Sequence, residues 1–128
     1  SKPKVMDQAF EILDYLKTKY QLHIITNGFN QSQYNKLQSS KLDAYFDLVV
    51  TSENSGFRKP DKRIFEHTLA QLKADAGQCL MIGDNPLSDI QGAQNAKIDQ
   101  VYYNPLNTKI TIQPTFTIKH LSELGNIL

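Results

Sequence analysis

Several things are scarce in this sequence, and each shortage narrows its reading. Cys79 is the only cysteine, so no internal disulfide can form, and a reducing, cytoplasmic setting is the expectation. Charge of one sign is also lacking. Lys and Arg number 14 against 13 Asp and Glu, a formal net charge of +1. That balance supplies no basic field for nucleic acid and no acidic tail, so any bound anion must be held by a local site. No apolar run approaches the roughly 20 residues that span a bilayer. The opening Ser1-Lys2-Pro3-Lys4 lacks the apolar centre of a signal peptide, so neither membrane nor nucleic acid is expected as a partner. There is no fixed-period repeat and no low-complexity tract. What remains is 128 residues, 40% hydrophobic, enough for the core of one domain.

Short apolar runs alternate with longer amphipathic ones. Met6, Ala9, Phe10, Leu13 and Leu16 recur at helical spacing. Leu22-His23-Ile24-Ile25 then reads as a buried strand ended by Thr26-Asn27-Gly28, and Gln31 to Gln38 as a weakly patterned helix. Leu48-Val49-Val50 is a second strand, followed by a polar loop from Thr51 to Arg58. Ile64, Phe65, Thr68, Leu69 and Leu72 mark a helix, and Cys79-Leu80-Met81-Ile82 a third strand with Gly83-Asp84-Asn85 as its exit turn. Asn85 suits an N-cap and Pro86 a first helical residue, which predicts a helix to about Asn95. Val101-Tyr102-Tyr103 and Thr115 to Ile118 are further strands, with a closing helix from His120 to Leu128. This alternation predicts an α/β fold with a mainly parallel sheet and helices on both faces. Ligands of such sheets bind beyond the carboxyl ends of the strands.

Three constellations fall at that edge. Asp84 follows a strand and Asp89 lies in the next helix's first turns, so both carboxylates can face one volume. Magnesium takes such hard oxygen ligands, usually one or two carboxylates plus a substrate phosphate. The plainer alternative is a turn cap and a helix-dipole partner. Thr26 offers a hydroxyl, and Asn27 and Gly28 offer backbone N–H groups, for phosphate oxygens; Asn-Gly is also a common turn. Lys59, after Arg58 and before Pro60, can neutralise charge on a transferring phosphoryl group; an isolated basic pair is otherwise simply solvated. Together they are the parts of a phosphoryl-transfer site.

The order and spacing of these segments resemble the haloacid dehalogenase (HAD) superfamily, in its phosphatase branch. Ile24-Ile25-Thr26-Asn27-Gly28-Phe29 resembles the family's second motif, Lys59-Pro60 the third, and Gly83 to Asp89 the fourth. Thr-Asn-Gly-Phe and the stretch from Gly92-Ala93 to Tyr103-Asn104-Pro105 look most like the pyrimidine 5′-nucleotidase subgroup. The resemblance implies a three-layer, Rossmann-like core and a Mg2+-dependent phosphatase of nucleotides or small phosphorylated metabolites, working through an aspartyl-phosphate. It implies that Thr26 grips phosphate, that Lys59 steadies nucleophile and phosphate, and that Asp84 ligates magnesium. It implies too that Asp89 acts on the metal through a water or a hydrogen bond.

Two departures stand out. Lys97 replaces the glycine usual at that helix end. The first motif, Asp-x-Asp with the nucleophile, is absent: nothing before Leu22 reads as a strand with an acidic pair, and Asp7 and Asp14 lie on a helix pattern. Residues 1–128 therefore read as the C-terminal part of a HAD-like core, with no cap domain in this chain and the central first strand missing. Alone it is expected to be inactive, and its open sheet edges invite self-association. Two alternatives stay open, a non-catalytic HAD-like binding module and a metal-free haloacid dehalogenase. His23, His67 and His120, Cys79, and Tyr102-Tyr103 read as packing or surface residues, not as site residues.

Overall fold

The computed structural model describes residues 2–128, with side chains from residue 9 onward. The helix-face readings of Met6 and Asp7 therefore lie outside the described residues. The short apolar runs form strands, and every ladder is parallel. Strands β1 (His23–Ile25) and β2 (Leu48–Val50) make one ladder, with His23 opposite Leu48 and Ile25 opposite Val50. Strands β3 (Leu80–Gly83), β4 (Asp99–Tyr103) and β5 (Phe116–Ile118) make a second, in that order. The amphipathic stretches give α1 (Lys2–Lys17), α2 (Asn30–Ser40) and α4 (Lys62–Leu72), with short helices α3 (Ser52–Ser55), α5 (Gly92–Asn95) and α6 (Leu124–Ile127).

Alternation along the strands splits the core into two layers. Val101 of β4 and Ile118 of β5 pack with Ile12 and Leu16 of α1 and Leu124 of α6. On the other face Val50 of β2 packs with Ile64 and Phe65 of α4, Ala93 of α5 and Ile98. Neighbours Leu80 and Met81 of β3 join opposite clusters, as a period of two requires. The result is the expected three layers, a partial Rossmann-like core.

The sheet is interrupted between β1 and β3, which do not pair. Among the described residues the facing edges of these two strands are therefore open. On β1, Thr26 N–H donates to Val50 O (2.9 Å), and Leu22 O accepts from Asp47 N–H (2.9 Å). Even-numbered residues thus face β2, and by alternation the backbone groups of His23 and Ile25 face the open edge.

Three local forms differ from the sequence reading. The polar loop after β2 contains α3, nucleated by a reciprocal cap. Thr51 Oγ1 accepts from Asn54 N–H (3.0 Å), and Asn54 Oδ1 accepts from Thr51 N–H (2.9 Å). The helix after β3 begins as a wide π-turn over Pro86–Gln91 before α5. The closing helix shortens to a 3₁₀ turn, Leu121–Glu123, and α6. Lys97 has φ +62°, the left-handed conformation that glycine adopts without a Cβ penalty.

Candidate active site

The loops after β1, β2 and β3 meet at the carboxyl end of the strands, and Lys59 joins them. Its ammonium donates to Ile25 O at 3.0 Å and to Asp89 Oδ1 at 2.6 Å. Both side chains are nearly buried, 11% and 7% exposed, so this is a desolvated ion pair and not a surface one. The acceptor on β1 is the carbonyl that faces the open edge. The lysine thus spans the gap between the two ladders.

Asp89 is held as firmly as it holds. Its Oδ2 accepts from Asp84 N–H (3.2 Å) and Asn85 N–H (3.1 Å). The π-turn brings this about: Asp89 N–H and Ile90 N–H both donate to Asn85 O, at 3.0 and 3.3 Å. Asn85 caps the turn, as the sequence suggested, by accepting from Leu87 and Ser88 N–H at 3.1 and 2.9 Å. Gly83 makes room. A Cβ there would sit 2.4 Å from Asp89 Oδ2 and 2.5 Å from its Cβ. Gly92 plays the same part below Lys59: a Cβ would meet the Phe65 ring at 2.7 Å and the Pro60 Cα at 3.2 Å.

The loop after β1 is wired internally. Thr26 Oγ1 accepts from Gly28 N–H (3.1 Å), so that donor is committed, whereas Asn27 N–H meets no acceptor among the described residues. Sequence reasoning counted both N–H groups as available. It also missed the use of the Asn27 side chain, which accepts from Lys59 N–H (2.7 Å) and donates to Lys59 O (3.2 Å). Ser52 was missed as well: its hydroxyl binds Asn27 O and Gly28 O at 3.0 and 3.1 Å. The Thr51-x-x-Asn54 cap, which seats Ser52 at the start of α3, was the available signal. Arg58 is exposed with Nη1 3.4 Å from Asn27 O, and has no carboxylate partner among the described residues.

Asp84 is the contrast to Asp89. Its carboxylate is exposed and accepts no hydrogen bond from the described residues. A free hard-oxygen ligand at a strand exit suits magnesium, and Asp89, with both oxygens engaged, suits a supporting role. No cluster of three or more metal-ligating side chains exists among the described residues, so Asp84 and Asp89 alone do not make a complete metal site.

A matching profile covers most of the chain. The family model described as haloacid dehalogenase-like hydrolase matches residues 1–103. The chain belongs to that family. It is 37% identical over 123 residues to the pyrimidine 5′-nucleotidase YjjG of Escherichia coli, covering 94% of this chain and 55% of that protein. It is 35% identical over 129 residues to the pyrimidine 5′-nucleotidase PynA of Streptococcus pneumoniae, covering 98% and 54%. A crystal structure of the HAD-hydrolase YfnB of Bacillus subtilis, bound to magnesium, superposes with TM-score 0.88 at 36% identity, covering 94% of this chain and 53% of that one. The chain spans about half the length of these relatives.

Of the residues set aside in the sequence, His23 lies apart from this site, whereas Tyr102 of β4 stands opposite Gly83 in the ladder. His23, with Asp47, Gln71 and Leu72, lines a cavity of about 460 Å3 at the opposite, amino-terminal end of β1 and β2. Burial pulls its pKa below the usual histidine value, and the Asp47 charge opposes this. Tyr102 is buried packing, and burial followed by the Asp75 charge pushes the Cys79 thiol upward, away from reactivity. No helix of the described residues is long and apolar enough to cross a membrane.

Proposed function

We propose that this chain supplies part of a magnesium-dependent phosphatase that hydrolyses phosphoric monoesters of nucleotides or small phosphorylated metabolites. The observation that carries this reading is the buried Lys59 ammonium, fixed between Asp89 and the β1 carbonyl and beside the Thr26 loop. A cation so held is preorganised for the charge on a transferring phosphoryl group, with no reorganisation at the moment of reaction. Thr26 and the Asn27 N–H are the donors for phosphate oxygens, and the Gly28 N–H, bonded to Thr26 Oγ1, closes the turn that presents them. Asp84 is the metal ligand, and Asp89 holds Lys59 and the Asp84 backbone in register. Magnesium, when bound, supplies charge neutralisation for nucleophile and phosphate. The nucleophile is an aspartate outside these 128 residues, and the reaction passes through its acyl phosphate, which water then hydrolyses.

The relatives' nucleotidase names favour nucleoside monophosphates as substrates. The unengaged Asp84 carboxylate speaks against a metal-free dehalogenase, which has no use for a cation ligand there. A non-catalytic module would bind magnesium without turnover in the longer protein. The test is a generic phosphate ester with magnesium. The 128-residue chain is expected to give no turnover, and the longer protein turnover that Asp84→Asn abolishes. Robust activity of the 128-residue chain, lost in Asp84→Asn, would overturn the view that the nucleophile lies elsewhere.

A further inference from the structure

We infer that the Asn27 side chain is a positioning residue for Lys59, setting the site of its ammonium relative to the Thr26 hydroxyl. This rests on the reading of Lys59 as the site's phosphoryl-stabilising cation.

The observation is a two-point contact. One planar amide accepts from Lys59 N–H at 2.7 Å and donates to Lys59 O at 3.2 Å. A single hydrogen bond would leave the lysine backbone free to rotate about it. The second removes that rotation. The other end of Lys59 returns to the same loop, because its ammonium donates to Ile25 O at 3.0 Å. The contacts close a ring: Ile25, Thr26 and Asn27 by covalent bonds, then the Asn27 amide, the Lys59 backbone and the Lys59 side chain. Thr26 is a member of that ring, so hydroxyl and ammonium are held at a fixed offset. A free lysine side chain carries about 2 kcal/mol of rotamer entropy. Anchoring its backbone to the segment its head group binds reduces what must be ordered when phosphate arrives.

The chemistry demands asparagine. The contact needs one donor and one acceptor on a single short planar group. Aspartate offers two acceptors and would set its second oxygen against the Lys59 carbonyl. Serine has one short arm, and glutamine is a methylene too long. The Asn27 carbonyl is loaded separately, by Ser52 Oγ at 3.0 Å and Arg58 Nη1 at 3.4 Å, so α3 and the Lys59 loop both bear on this residue. Its N–H has no acceptor among the described residues and can serve an anion without competing with the amide.

The test is NMR on the 128-residue chain with nitrogen and carbon uniformly labelled, the Lys59 ammonium being assigned by its loss in Lys59→Arg. In the wild-type chain, a scalar coupling across the hydrogen bond should link Lys59 N–H to the Asn27 side-chain carbonyl carbon. In Asn27→Ala and in the near-isosteric Asn27→Asp, exchange of the Lys59 ammonium protons with water should rise roughly tenfold, with the β1–β2 amide signals unchanged. Absence of the coupling in the wild-type chain overturns the inference without any variant. So does wild-type ammonium exchange in either folded variant. These signals do not depend on turnover. Failure of the longer protein to hydrolyse phosphate esters would remove the phosphatase reading while leaving them intact.

Discussion

The Lys59–Asp89 pair is the most exacting test of the site's energetics. Lys59→Met removes the ammonium and leaves Asp89 Oδ1 buried without a donor, while Oδ2 keeps the Asp84 and Asn85 N–H groups. Breaking a buried pair from one side costs about 3–5 kcal/mol. The two retained N–H bonds place this case at the low end, near 3 kcal/mol. Asp89→Asn leaves the buried ammonium with no counter-charge and costs about the same. The double variant leaves no buried charge, so its loss should also be near 3 kcal/mol, giving a coupling of about 2–3 kcal/mol. Urea unfolding reads this directly. With a slope of roughly 2 kcal/mol/M, each single variant should lower the midpoint by about 1.5 M, and the double variant no further. A coupling below about 0.5 kcal/mol, the size found for exposed pairs, would refute the claim that this is a desolvated organising pair.

Other consequences follow from local geometry. Gly83→Ala forces a Cβ to within 2.5 Å of the Asp89 Cβ, an unyielding neighbour, so Tm should fall by about 5–10 °C; Gly77→Ala, with nothing within 4 Å, should leave it unchanged in the same thermal melt. Lys97→Gly relieves φ +62° and should raise the urea midpoint modestly, by about 0.5 kcal/mol of stability. His23 has a folded pKa below 6.5, so the unfolded chain binds its proton first. That contribution is intact above pH 6.5 and is lost as pH falls through the folded value; His23→Gln should flatten the decline of stability on the acid side of pH 6.5, and an unaltered slope would count against it.

Much of the fold was legible because strand and helix periods are local properties. Leu48-Val49-Val50 needed only its own apolar run, and Ile64, Phe65 and Thr68 only helical spacing, to declare the buried faces now seen. The motif residues were legible for a related reason: each stands at a strand exit or in the segment beyond one, and parallel sheets gather their exits at one edge. What the sequence concealed were commitments made across 24 to 32 residues of chain. These are the Asn27 amide on Lys59, the Ser52 hydroxyl on the Asn27 and Gly28 carbonyls, and the Lys59 ammonium on Asp89. No local pattern encodes which of several polar groups will be close enough to bond, and the π-turn that aims Asp89 looks, as sequence, like any capped helix. These hidden bonds also decide how the two acids divide their work. Each oxygen of Asp89 already has a donor, so of these two acids a cation drawn to this edge finds the Asp84 carboxylate unengaged among the described residues. The organising half of the site is thus complete without metal. On the function proposed above, the attracting half rests on the exposed Asp84 side chain.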